Sequence, residues 1–341
     1  MSNAANLQNL LTRFAARPVS SPDTALPQVM QELIDSGFAS LPMPGQGLTL
    51  ERWRTLAAVA ACDLALVKLF EGHTDAMAIM AELEPDEPLP KGLWGTWAAE
   101  PHFARVNIMD RQGDRVYLHG RKAWCSGAPM LDGALLTTWD EQHRPQLVAV
   151  DLRQSTISRM ADAWQAVGMG STASVDVAFK GALGRCVGMP GQYVDRPGFW
   201  QGGGGIAACW YGAACALAGY LREHCRQPHH DAHAAAHLGA VDAALCSAAA
   251  CLRATAMWID AKPRDSAQIP VRRLRAQMET TVNEVLAQVG RALGATPFCR
   301  DAHFARLAAD LPVFVRQSHG QKDLAALGEL IAAQPDDGWL L

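Results

Sequence analysis

The chain has 341 residues, 49% of them hydrophobic and 19% charged, with a formal net charge of -4. That is enough apolar material for a large buried core and too much for a disordered chain. No run of five or more Lys/Arg occurs, which argues against nucleic acid or a membrane surface as partner and leaves room for a local basic pocket.

Residues 24–83 read as helices. Val29, Leu33 and Ile34 share a face that stops at Ser36-Gly37; a second helix covers 50–61, and a third, through 63–83, carries Leu66, Phe70 and Met77. Pro85, Pro88 and Pro90 cannot sit inside a helix, so an N-terminal helical domain is expected over 1–92. From 93 to 190 the apolar period becomes two. Segments 105–108, 115–118, 135–138, 147–150 and 175–179 alternate without intervening helices, which predicts a middle antiparallel β domain. From 191 to 341 helical stripes return, through Val241, Leu245 and Leu252, then Leu274, Met278, Val282, Val285, Val289 and Leu293, then Phe304, Leu307, Leu311 and Phe314. With a helix over 202–225 these predict a C-terminal four-helix bundle and an α+β, mainly α, fold. The nearly uncharged stretch 203–220 is Gly- and Ala-rich rather than Leu-rich, so a buried helix is expected there and not a membrane span.

The nine cysteines are an odd count without Cys-x-x-Cys, which excludes a complete disulfide framework. Cys209, Cys215, Cys246 and Cys251 lie among alanines and read as reduced, buried small hydrophobes; with no secretory leader pattern, a cytoplasmic protein is expected. His229, His233 and His237 share a helical face, yet no Glu stands as in His-Glu-x-x-His, so no metal is expected. Gln201-Gly-Gly-Gly-Gly-Ile-Ala207 holds a formal Gly-x-Gly-x-x-Ala, but neither a preceding strand nor a βαβ unit accompanies it, which excludes a Rossmann site. A closely packed helix entry is expected instead.

The most informative stretch is 117–128, Tyr-Leu-His-Gly-Arg-Lys-Ala-Trp-Cys-Ser-Gly-Ala. A strand leads to a turn at Gly120, and Trp124 and Ser126 then follow at the spacing that shares one face of an extended segment. An indole beside a hydroxyl suits a planar heteroaromatic ring, one lying against its face and the other bonding its edge. A core tryptophan beside a turn serine is the plainer alternative.

Gly120, Lys122, Trp124 and Ser126 fit a Gly-x-Lys-x-Trp-x-Thr/Ser run, and this segment resembles the flavin-contacting strand of the acyl-CoA dehydrogenase superfamily. Three further segments agree in order: Trp97-Ala-Ala-Glu-Pro101 resembles its Thr-Glu-Pro, residues 168–175 its Gly-x-Arg-x-Ser-x-Thr strand, and Arg300-Asp-Ala302 its Arg-Asp-Ala. The resemblance spans roughly 25–330 and implies an acyl-CoA dehydrogenase-like fold, a homodimer or homotetramer, and FAD. The flavin would be held by Trp124, Ser126, Gly170, Thr172 and Ser174, with Arg291 at its phosphates in place of the family's Gln-x-x-Gly-Gly. It also implies α,β-desaturation of an acyl substrate, such as a CoA thioester, with hydride transfer to flavin N5. Arg105 or Arg121 would meet an anionic substrate.

Where the family has its glutamate base, this chain has Ala309, and the alternative position falls in 202–205, all glycine. Asp310 is the neighbouring carboxylate and the candidate base; His303 and His319 are further acid/base candidates. The family's Gly-x-Gly-Ser-Asp is replaced by His102-Phe-Ala-Arg105, and its Arg-x-x-Phe-Gly adenine contact is absent. These departures motivate two alternatives, a flavin-dependent monooxygenase on the same fold and a catalytically silent scaffold.

Overall fold

The structure is a computed structural model that describes residues 3–15, 22–160, 164–228, 232–335 and 338–339. The chain forms two compact units, one of residues 1–41 and 65–199 and the other of 42–64 and 200–341.

The first unit contains helices α1 (Asn3–Ala15), α2 (Pro22–Asp35), α4 (Leu64–Leu83) and the short α5 (Gln192–Asp195), with seven strands. α2 ends because Gly37 takes φ +77°, which lets the Gly37 and Phe38 amides donate to Ile34 O (2.9 Å) and Leu33 O (2.9 Å) and satisfy the last carbonyls. The strands are β1 (Trp94–Trp97), β2 (Val106–Gln112), β3 (Arg115–Cys125), β4 (Gly133–Trp139), β5 (Pro145–Asp151), β6 (Ile157–Met160) and β7 (Val175–Val187). Their pairing closes a ring, β4–β2–β3–β7–β5–β4, with β1 added to β4 and β6 to β7. The antiparallel expectation needs correction at one edge, since β1 and β2 both pair with β4 in parallel. α4 covers the sheet, packing Ala76, Ile79 and Met80 against Leu135, Leu147 and Val187. Burial of such side chains contributes about 1.5–3 kcal/mol each.

The second unit contains α3 (Thr49–Cys62), α6 (Pro197–Arg226, except its first turn), α7 (Ala232–Ala261), α8 (Gln268–Leu293), α9 (Thr296–Arg300), α10 (Ala302–Phe314) and α11 (Gln321–Ala332). Asp260, at the end of α7, accepts from the Gly47 (3.1 Å) and Thr49 (3.1 Å) amides and so caps α3 from a distance. The glycines of α6 explain how closely α3 packs. A Cβ at Gly204 would lie 2.6 Å from the Trp53 ring, and one at Gly212 only 2.1 Å from Ala57 O. The helix-packing reading of 201–207 therefore holds, and those glycines seat a tryptophan.

α6 and α7 are both long and apolar enough to cross a membrane, with 67% and 22% of their most apolar windows buried. Cys209 is buried, while Cys246 is exposed on α7, a correction to the expectation that all four alanine-flanked cysteines are buried.

Candidate functional site

The organising stretch forms the last part of β3, and its geometry departs from a plain extended strand. Gly120 sits within β3 at φ +126° rather than in a turn, because a Cβ there would lie 2.2 Å from Arg105 O. The pairing with β7 then shifts register between Lys122 and Cys125, and Trp124 takes φ +58°. This left-handed residue throws its indole outward while Ala123 and Cys125 on either side are buried. The Ser126 amide donates back to Trp124 O (3.0 Å), closing a tight turn. Trp124 and Ser126 are thus set by a bulge and a turn, not by strand alternation as expected.

Residues 170–174, expected as a strand, form a 3-10 turn, Gly170–Thr172, flanked by Met169 (φ +58°) and Ala173 (φ +45°). The Gly127 amide donates to Thr172 O (2.8 Å), which ties the turn to the end of β3. As a result the Ser126 and Ser174 hydroxyls lie 2.8 Å apart, the Ser174 and Thr172 hydroxyls 2.7 Å apart, and Thr172 Oγ1 donates to Met169 O (2.6 Å). Trp124, Met169 and Ala173 are three of the four non-glycine residues with positive φ among those described. Such strain persists only where the surroundings impose it, and it concentrates at functional sites.

Trp124 is 48% exposed and Phe103 51%, and their rings meet edge to face at 5.9 Å. Arg121 bonds Phe103 O (3.2 Å) and pairs with Asp176 at 3.4 Å, so its charge already has a partner. Arg105 stacks its guanidinium 4.3 Å above the Trp139 ring.

Beside this corner lies a polar network that the sequence reading did not anticipate. Lys122 is wholly buried; its ammonium donates to Glu100, to Thr137 O (2.9 Å) and to Thr137 Oγ1 (2.7 Å), while Trp139 Nε1 donates to Glu100 (2.9 Å). Burial pushes the Lys122 amine down, and Glu100 opposes that. Burial would raise the Glu100 carboxyl, but the Lys122 charge and the donated hydrogen bonds outweigh it and hold it below the usual range. Lys122 in the Gly-x-Lys-x-Trp pattern and Glu100 in the Glu-Pro segment both stood in the motifs, but nothing in the sequence paired them.

The remaining candidates lie in the second unit. Arg291 is exposed in the last turn of α8, where a cation suits the helix C-terminus. Asp310 is half-buried on α10, next to Leu311 in the core. His303 is engaged at both nitrogens, Nε2 donating to Ala61 O (3.0 Å) and Nδ1 lying 3.0 Å from the Tyr220 hydroxyl, which itself donates to Asp301 (2.9 Å). Burial, then the Asp301 charge, pushes the Tyr220 hydroxyl above its ordinary range. Asp301 also caps α10 through the Phe304 amide (2.8 Å), so the Arg-Asp-Ala motif here serves a helix N-terminus. His319 is exposed and lies 3.7 Å from Asp323.

Among the described residues no three His, Cys, Asp or Glu side chains converge on a metal position. His229 lies outside the described residues, and His237 pairs with Gln288.

No protein-family model and no curated protein matches the chain. Solved structures do match. The fold is that of a group of enzymes that includes the dibenzothiophene monooxygenase TdsC from Paenibacillus sp. A11-2, whose complex with FMN and indole is 17% identical, with 96% of each chain covered and a TM-score of 0.77. The methanesulfinate monooxygenase MsuC from Pseudomonas fluorescens is 17% identical over 99% of each chain, with a TM-score of 0.80. KijD3, in complex with FMN and a dTDP-linked amino keto sugar, is 15% identical over 98% of this chain and 93% of its own, with a TM-score of 0.75. At these identities the likeness establishes the fold alone.

Proposed function

We propose that this chain is a flavin-dependent monooxygenase of the acyl-CoA dehydrogenase superfamily, acting on a small organic substrate. The observation that carries this reading is the missing carboxylate. One position where the resemblance places a base is Ala309, and the other is a glycine run against which Trp53 packs. Desaturation needs a base for the α-proton; oxygen insertion does not. The folds of TdsC and MsuC, both named as monooxygenases, support the same choice.

The residues present fit a flavin ring. A half-exposed indole, a hydroxyl with unused lone pairs and the unobstructed Gly170 turn form one corner of the first unit. Trp124 would lie along the ring, with Ser126 at its edge, positioned by Ser174 and Thr172. Bound reduced flavin supplies the two electrons with which dioxygen is divided between product and water. FMN is proposed in preference to FAD, because the adenine-contact motif is absent and the FMN complexes of TdsC and KijD3 share this fold. Arg105, stacked on Trp139, is a better candidate for an anionic substrate group than Arg121, which Asp176 engages. The alanine-rich α7, mostly unburied in this chain, is the proposed contact with another copy, which sedimentation would test.

The test is to supply reduced FMN and oxygen with indole and a panel of sulfur- and nitrogen-containing substrates. Incorporation of labelled oxygen is the expected result. The second reading, desaturation of an acyl thioester with Asp310 as base, rests on Asp310 adjoining the vacant Ala309 position. One residue on a helix turns a side chain by about 100°. Anaerobic bleaching of bound flavin by an acyl-CoA, abolished in Asp310→Asn, would establish desaturation and sink the oxygenase. A protein that binds no flavin would point to the silent scaffold.

A further inference from the structure

The first unit contains a cavity of about 10 Å³ between α4, β1 and the turn that follows β3. That is about the room one small molecule needs. Its wall includes Leu69, Leu131, Trp94 and Trp97, together with Ser126 of the candidate site. The side-chain donors around it are already turned on other groups. Thr96 Oγ1 donates to Gly72 O (3.0 Å), Trp97 Nε1 to Ser126 O (3.0 Å) and Trp94 Nε1 to Lys91 O (3.0 Å), while the Lys68 ammonium pairs with Glu71 (3.0 Å). An enclosed water needs about two to four polar partners. A wall whose indoles and hydroxyl give their single protons elsewhere suits an apolar occupant instead.

Two glycines line the cavity, for different reasons. A Cβ at Gly95 would lie 2.5 Å from Leu131 Cδ1, so packing alone requires that glycine. Gly72 has no such reason. It sits inside α4 without a positive φ, and outside its own helix the only atom within 4 Å of a Cβ would be the Thr96 amide nitrogen, at an ordinary 3.7 Å. Alanine is the better helix former, so local stability favours alanine at this position. What a methyl group would do there is enter the cavity.

Resting on the monooxygenase reading above, we infer that this cavity holds dioxygen before it reacts, and that Gly72 keeps the space open. Dioxygen is diatomic, uncharged and apolar, which matches both the size and the wall. It is also the one reactant of that reading with no charged group for Arg105 to hold.

Dioxygen itself is the probe. In the flavin-free full chain under oxygen pressure, its paramagnetism should relax the Leu69 and Leu131 methyl groups more than those of Leu217 and Leu274, buried leucines of the second unit. Gly72→Ala should abolish that excess while raising the melting temperature, so a lost fold cannot account for the result. The second readout mixes the full chain, in excess over reduced FMN, with dissolved oxygen and no organic substrate. Two electrons and two protons then pass from reduced FMN to dioxygen, giving oxidised FMN and hydrogen peroxide. Gly72→Ala should slow this roughly tenfold, well within what holding a reactant in place can supply. Gly219→Ala, at an unobstructed glycine of α6 in the second unit, should change neither readout. Equal relaxation in wild type and Gly72→Ala, or an unchanged oxidation rate, overturns the inference while the flavin reading survives. So does a Gly72→Ala chain that no longer binds FMN, because the cavity then belongs to the flavin seat. If wild type binds no FMN, both fall.

Discussion

Two hydrogen-bonded chains in this molecule use similar groups to different ends. In the first unit, Ser126, Ser174 and Thr172 run from a half-buried hydroxyl to a buried carbonyl, leaving one end open. In the second, Tyr220, Asp301 and His303 are tied to backbone at both ends, through the Phe304 amide and the Ala61 carbonyl. A chain fixed at both ends fastens helices together; one fixed at a single end holds out an atom for something else. The contrast shows why a His-Tyr-Asp grouping, which looks catalytic in composition, is here structural, and why three plain hydroxyls are the better candidate.

The comparison predicts large stability losses where chains are closed and small ones where they are open. The largest is at the closed network next to the corner: Lys122→Met should destabilise by about 2–3 kcal/mol, because it removes the buried donor to Thr137 O and Thr137 Oγ1 and leaves both without it. A denaturant midpoint unchanged from wild type would contradict that. Acid offers a second route. Burial lowers the His73 imidazole from 6.5 to about 4, and its Nδ1 accepts the Trp94 amide at 3.2 Å. The unfolded chain takes up this proton near pH 6.5 and the folded chain only near 4. Stability is therefore full above pH 6.5 and falls on acidification, by about 2 kcal/mol at pH 5. In His73→Asn that component of the pH dependence should vanish.

Asp301→Ala removes the α10 cap and the Tyr220 acceptor together, and should cost about 1–2 kcal/mol while leaving the affinity for reduced FMN unchanged. A changed affinity would break the division between the two chains. Ser126→Ala is the converse, expected to move the thermal midpoint by less than about 0.5 kcal/mol of stability yet to weaken reduced FMN several-fold.

Much of the fold was legible in sequence because each element carries its own signal. The apolar stripe of α8, the Gly37 stop after α2 and the proline run after α4 all mark what the structure contains. β1 was missed because Trp94–Trp97 is four residues long, too short for a period to emerge, and its parallel pairing with β4 depends on a partner about forty residues on. At the site, the pattern around Trp124 implied a plain extended strand, and the structure has a different geometry there. Residue spacing describes regular backbone, and this corner is built from a bulge, a 3-10 turn and three left-handed residues. Lys122 illustrates the same limit, since nothing local says that a lysine will be wholly enclosed until Glu100 and Thr137 arrive from elsewhere in the chain.

Trp124, Met169 and Ala173 each occupy a backbone conformation that glycine adopts freely, at about 1 kcal/mol or more apiece. A sequence shaped for heat resistance alone would have placed glycine at Ala173. Ala173→Gly should therefore raise the melting temperature and at the same time let the neighbouring serine and threonine wander. Anyone engineering this protein for robustness would find the gain and the loss at the same residue.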